Sequence, residues 1–121
     1  MRGMAITVYQ YPKCSTCRKA MKWLDARGVK YRANDLVAEP IALNVLRELH
    51  ERSGLPLRRF FNSSGESYRK GNFGTRLAQM SDAEQLRALA ADGKLVKRPI
   101  IDAGKTVLVG FDEDAYERAL G

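Results

Sequence analysis

The residues best suited to chemistry are two cysteines three positions apart, in the run Tyr11-Pro12-Lys13-Cys14-Ser15-Thr16-Cys17-Arg18-Lys19-Ala20. A thiolate rather than a thiol attacks a disulfide or an electrophilic oxyanion, so a reactive cysteine needs its pKa brought below about 8.5. If a helix begins near Ser15, Cys14 stands at its N-terminal end, where free backbone N–H groups and the helix dipole favour negative charge. Lys13, Arg18 and Lys19 add positive charge close in sequence. Cys14 is therefore expected to be a nucleophile. Cys17, one turn along, is expected to attack a mixed disulfide formed at Cys14 and release the product. A zinc site would want about four ligands, and beyond the pair the chain offers only His50, which falls on a predicted helix. Burial as plain helix residues is the other bland reading. It suits Cys14 poorly, because Cys14 follows Pro12-Lys13 in a strand-to-helix turn.

Arg98-Pro99 is the second informative place. A guanidinium is permanently charged and planar, and so could orient an anion or a thiolate; the alternative is a surface charge beside Lys97. Pro99 stands at the entrance to a strand. It reads either as a cis-proline that exposes nearby backbone to an extended substrate or as an ordinary trans residue. Tyr9, Tyr11 and Trp23 read as core or pocket walls, and Arg58-Arg59 and Arg69-Lys70 as partner contacts or, more often, solvated pairs. Nothing resembles a phosphate loop or a pair of acid–base carboxylates.

The elements that must position these residues follow from periodicity. Ile6-Thr7-Val8-Tyr9 is β-branched and aromatic and reads as a strand before Pro12. From Ser15 to Arg27 apolar residues recur at helical spacing and Gly28 supplies a stop. Val29-Lys30-Tyr31-Arg32-Ala33 alternates, predicting a second strand parallel to the first. A second helix is predicted from Pro40, with Ile41, Val45, Leu46 and Leu49 on one face and Gly54 at its end. Leu55 to Gly74 reads as short helices and connectors, with Phe60-Phe61 buried and Arg69-Lys70-Gly71-Asn72 in an exposed loop. Ser81-Asp82-Ala83-Glu84 is a capping-box pattern opening a helix that Gly93 ends. Residues 99–102 and 106–109 read as a hairpin, and Asp112 as the cap of a last helix ending near Leu120. The order β-α-β, helices, β-β-α predicts an α/β thioredoxin-like fold with a helical insertion between its halves. The whole chain, 1–121, is expected to be one domain, with its core at about 4–36 and 95–121 and the insertion at about 40–94.

With 121 residues and 45% hydrophobic content the chain suits one domain. It has no apolar run of the roughly 20 residues that span a bilayer, and its start lacks a secretory pattern, so a cytoplasmic protein without membrane contact is expected. Two cysteines are too few for a disulfide framework. The net charge of +7 attracts anions in general. Its basic residues are dispersed among acidic ones rather than gathered in an arm, so direct nucleic-acid binding is not expected.

Beyond the cysteine run, Gly54-Leu55-Pro56-Leu57, Phe60-Phe61-Asn62 and Lys97-Arg98-Pro99-Ile100 stand in an order that resembles the ArsC/Spx family over about residues 5–120. The resemblance implies the thioredoxin-like fold, a nucleophilic cysteine at Cys14 and an arginine before a cis-proline at Arg98-Pro99. Arsenate reductases of this family couple to glutathione and glutaredoxin and use three arginines. Arg98 matches one of them; Asn62 stands where the second belongs, and Thr106-Val107-Leu108-Val109 lacks the third, leaving Arg58, Arg59 or Arg69 as conceivable substitutes. Spx regulators bind the RNA polymerase α subunit, but the insertion here looks like the reductase-like branch. A thiol–disulfide oxidoreductase is thus expected, with arsenate reduction and polymerase binding as alternatives. Its site is expected to use Cys14, Cys17 and Arg98, with Lys13, Ser15, Thr16, Asn62 and Pro99 binding substrate. No metal or tightly bound cofactor is implied; the reductant would be an external thiol such as glutathione, glutaredoxin or thioredoxin.

Overall fold

The structure is a computed structural model that describes residues 5–121; residue 4, where the core was expected to begin, lies outside the described residues. Strand β1 (Thr7–Gln10) leads to helix α1 (Ser15–Ala26) and strand β2 (Arg32–Asp35). Helix α1 is amphipathic and buries Cys17, Ala20, Trp23 and Leu24, at the three- and four-residue spacing that makes one face of a helix. Its end is closed by two hydrogen bonds: Gly28 N–H donates to Asp25 O and Val29 N–H to Leu24 O, both at 3.1 Å. Gly28 has φ of 70°, a left-handed conformation that glycine adopts without steric cost.

That closure corrects the expected second strand. Val29 spends its N–H on α1, so ladder pairing starts only at Arg32, whose N–H donates to Ile6 O at 2.9 Å. Val29 and Tyr31 alternate because they pack on the core beside the strand, where both are partly buried. β2 does run parallel to β1. The hairpin of β3 (Ile100–Asp102) and β4 (Val107–Val109) is antiparallel, and β3 pairs antiparallel with β1, giving the mixed sheet order β2-β1-β3-β4. Helix α6 (Glu113–Leu120) is capped by the Asp112 carboxylate, which accepts from Asp114 N–H at 3.1 Å.

Two compact units emerge: residues 5–35 with 98–121, and residues 36–97. In the sheet unit Val8, Ala20, Trp23, Leu24, Ile101, Ala103 and Tyr116 form the core. Tyr116 meets Trp23 and Phe111 edge-on at 5.5 and 4.9 Å, and its hydroxyl donates to Gly110 O at 2.7 Å. A fully covered side chain such as Leu24 contributes about 1.5–3 kcal/mol.

The helical unit holds α2 (Leu43–Ser53), α3 (Glu66–Lys70), α4 (Phe73–Arg76) and α5 (Asp82–Ala91), with single 3-10 turns at Leu57–Phe60, Leu77–Gln79 and Gly93–Leu95. Leu46, Leu49, Phe60, Phe61, Leu86 and Leu89 are among its buried residues. α2 begins after Pro40 rather than at it: Ala42 is still extended, and Ile41 is buried ahead of the helix. Arg69 and Lys70 end α3 instead of lying in a loop. Gly93 does not end α5 but follows its cap Asp92, and a Cβ there would strike the Leu36 carbonyl oxygen.

Candidate functional site

Strand β1 ends at Gln10, and the turn through Pro12 delivers Cys14 to the cap of α1. Cys14 N–H donates to Tyr11 O at 2.9 Å, and Cys14 O accepts the first helical bond from Arg18 at 3.1 Å. Cys14 is extended, with φ of −90° and ψ of 116°, as a capping residue is. Its sulfur takes the place a serine or aspartate oxygen would occupy: Cys17 N–H donates to Cys14 Sγ at 3.3 Å. The nearby Arg18 guanidinium donates to Pro12 O at 2.8 Å and so braces the turn.

The two sulfurs are electrostatically unequal. Cys14 is half-buried and Cys17 is wholly buried; both are free thiols. Burial would raise the Cys14 pKa, but hydrogen bonds from Cys17, through its thiol and its backbone N–H, and from Arg98, together with the Arg98 charge, bring it below the ordinary thiol value. Burial, the hydrogen bond to Cys14 and the Cys14 charge push Cys17 up to about 12, against the Tyr11 backbone N–H and the Arg98 charge. The two shifts run in opposite directions, so Cys14 gives up its proton before Cys17 does, and the Cys17 thiol is the donor between them.

Arg98 comes from the other end of the sequence. It precedes β3, β3 lies beside β1, and its guanidinium reaches Cys14. The guanidinium carbon also sits 5.3 Å from the centre of the Tyr11 ring, within cation–π range. The Arg98–Pro99 peptide is cis rather than trans; Pro99 is buried, and its carbonyl accepts from Gly110 N–H at 2.8 Å. Lys13 precedes the cap, and Ser15 and Thr16 open α1; all three are exposed.

The structure thus joins Cys14, Cys17 and Arg98 and sets Lys13, Ser15, Thr16 and Pro99 along the same turns. Asn62 belongs to the helical unit. Its N–H donates to Leu95 O at 2.8 Å, its carbonyl accepts from Gly65 N–H at 3.1 Å, and its side chain fills the space a Gly65 Cβ would need. The arginines weighed as substitutes also lie there. Arg58 and Arg59 line a cavity of about 690 Å³ with Phe61, Tyr68 and Lys97, and neither cysteine borders it. Arg69 donates to Ser64 O at 2.9 Å. His50 lies in the last turn of α2, edge-on to Phe60 at 5.8 Å. Among the described residues no group of three or more His, Cys, Asp and Glu is placed to hold a metal, and no helix is long and apolar enough to cross a membrane.

Tyr11 is the residue sequence reasoning undervalued. Read as a wall, it serves the site three ways: its carbonyl holds Cys14 N–H, its N–H faces the Cys17 sulfur and its ring lies against Arg98. Its position three residues before Cys14, in the turn that must wrap the cysteines, was the available signal.

Comparison with known proteins agrees with this geometry. The ArsC family model matches residues 9–119. The uncharacterised Bacillus subtilis protein YusI is 47% identical over 114 residues, spanning 94% of this chain and 97% of that protein. A crystal structure described as an ArsC family related protein from Bacteroides fragilis superposes with a TM-score of 0.93 at 38% identity, covering 97% of this chain and 98% of the other. The global transcriptional regulator Spx of Listeria innocua is 26% identical over 95% of this chain and 86% of its own length. By the family model over residues 9–119 and a relative 47% identical over nearly its whole length, the chain belongs to the ArsC family.

Proposed function

We propose that the protein is a thiol–disulfide oxidoreductase that works through Cys14 and Cys17. The observation that carries the reading is the opposite bias of the two sulfurs, with Cys14 held towards thiolate by Cys17 and Arg98 and Cys17 kept protonated. Cys14 Sγ attacks one sulfur of a substrate disulfide, forms a mixed disulfide and expels the other half as a thiolate. Charge on Cys14 is thereby lost. With it go two of the causes that raise the Cys17 pKa, the hydrogen bond to Cys14 and the repulsion from its charge. Cys17 then gives its proton to the departing thiolate and attacks Cys14 Sγ, releasing the second half and leaving a Cys14–Cys17 disulfide. An external dithiol or two molecules of glutathione return both sulfurs to thiols; glutaredoxin or thioredoxin are suitable protein donors. Arg98 and the α1 amides hold the negative charge, while Lys13, Ser15, Thr16 and Pro99 border the approaching substrate, and Asn62 is proposed as a further binding residue.

Arsenate reduction fits less well. An oxyanion held by several fixed cations gains a charge-assisted bond from each, and among the described residues of the sheet unit Arg98 is the cation that bonds to Cys14. The Spx likeness over 95% of the chain supports a second reading, binding of the RNA polymerase α subunit under control of the same thiols. The family fold alone does not choose it.

Turnover of a mixed glutathione disulfide and of arsenate, each with wild type and Cys17→Ser, tests the proposal. Disulfide turnover that stalls as a trapped mixed disulfide in Cys17→Ser is the expected result. Turnover of arsenate alone, with Cys17 dispensable, overturns it. Redox-dependent capture of the α-subunit domain without turnover of either substrate would favour the regulator.

A further inference from the structure

Downstream of the cysteines, the surface of α1 carries a hollow the reaction does not use. It measures about 280 Å³ and is bordered by Lys19, Lys22, Trp23, Ala26, Phe111 and Glu113. That is just under the roughly 300–1,000 Å³ of organic-ligand sites, so it suits a large apolar side chain better than a cofactor. Its floor is apolar, from Trp23, Ala26, Phe111 and the lysine stems. The chain covers one face of the Trp23 indole itself, with Arg27 stacked at 3.9 Å and tied to Glu117 at 2.8 Å. The hollow is left open.

The α1 border of the hollow is basic, whereas its α6 border carries Glu113 with Asp112 and Asp114 next to it in sequence. Residues 13–24 contain Lys13, Arg18, Lys19 and Lys22 and no acid. Neither Lys19 nor Lys22 has an ion-pair partner among the described residues. Glu113 is the one carboxylate at the border, and it sits in the first turn of α6, where the helix dipole already favours it. The acid-free stretch continues up α1 to the cap. At a rise of about 1.5 Å per residue, Lys19 and Lys22 lie about 7 and 12 Å along the helix from Cys14.

Resting on the reading of Cys14 as an exchanging thiol, we propose that this hollow docks the chain's protein partner in exchange: an acidic segment that seats one apolar side chain against Trp23 and Phe111, sets carboxylates on Lys19 and Lys22, and brings its own sulfur to Cys14. An extended segment advances about 3.3 Å per residue, so about four residues separate that apolar side chain from the partner's cysteine. The long-range attraction of like-signed lysines speeds encounter, and the apolar seat fixes register.

Trp23 is the sole tryptophan, so its fluorescence reports occupancy directly. The probes are a thiol-free peptide with leucine among glutamates and aspartates, the same peptide with lysines for the acids, and one with serine for the leucine. The acidic leucine peptide is expected to perturb Trp23 and to bind about tenfold more tightly than either control at low salt. Lys22→Glu and Ala26→Glu, both at exposed helix positions, are expected to erase that preference. Equal binding of the acidic and basic peptides, no Trp23 response, or a preference that survives both substitutions would overturn the docking site. Disulfide-linked versions with cysteine four residues from the leucine then separate the two claims. If the acidic peptide binds at Trp23 but neither it nor a small neutral disulfide exchanges with Cys14, the oxidoreductase reading fails while the surface stands. If the small disulfide exchanges and the peptide preference is absent, the surface fails and the reading stands.

Discussion

Burial is the largest influence on Cys14, and it acts against a thiolate, so the lowered pKa depends on the donors that outweigh it. Arg98 supplies both a hydrogen bond and a charge, and Tyr11 holds that guanidinium by its ring face. Alkylation of Cys14 by neutral iodoacetamide, followed against pH, should therefore have a midpoint below that of a free thiol, with the rate falling as pH drops through it. Arg98→Met should move the midpoint up and slow alkylation several-fold near neutrality. Tyr11→Leu should move it the same way by less, since a cation–π contact is worth about 0.5–1 kcal/mol, whereas Tyr11→Phe should leave it in place. An equal shift in Tyr11→Phe would assign the effect to the hydroxyl and refute the ring's role. The same lowering has a sign for folding. A depressed pKa stabilises the folded chain fully above the unfolded thiol value and loses that contribution as pH falls through the folded one. Urea denaturation of reduced wild type should accordingly gain on Cys14→Ser as pH rises through this window.

Helix ends decide where most elements of this chain begin and stop. In α5 the capping box is complete: Ser81 Oγ accepts from Glu84 N–H at 3.1 Å and Ser81 N–H donates to Glu84 Oε1 at 2.9 Å. Ser81→Ala should cost about 1 kcal/mol by denaturant titration without altering the Cys14 alkylation profile. These ends also explain what the sequence made legible. Ser81/Glu84, Gly28, Gly54 and Asp112 carry their structural reasons in their own side chains or lack of them, so α1, α5, α6 and the hairpin lay close to where the pattern put them. β2 slid by three residues because Val29 pairs backward into α1, a bond that apolar alternation cannot reveal. α2 began late because Ala42 offers no capping side chain to announce it. At the site, Cys14 and Cys17 were readable because their geometry is local to one helix turn. Arg98 was ambiguous because its meaning depends on β3 lying beside β1, and Tyr11's support of Arg98 depends on that same pairing. The place of Asn62 with Leu95 and Gly65 likewise had no signature at short range.

At the scale of the whole molecule the charge of +7 is spread thinly, yet Cys14 lies at the positive end of α1 with Arg98 beside it. Local and global fields therefore pull in one direction on an incoming anion. A surface charge acts over a Debye length of about 30 Å at 10 mM salt but only about 3 Å at 1 M, so the global part can be removed while contacts at hydrogen-bond distance persist. Exchange of Cys14 with an anionic aromatic disulfide such as dithiobis(nitrobenzoate) should slow several-fold across that salt range, whereas exchange with neutral hydroxyethyl disulfide should hardly change. The residual preference for the anion at high salt measures what Arg98 and the helix end contribute. In Arg98→Met that residue of preference should shrink while the salt-dependent part remains, because one cation of the 21 lysines and arginines is lost. If both disulfides instead respond alike to salt, the basic surface plays no part in recruiting anions, and selection rests on the groups that touch Cys14.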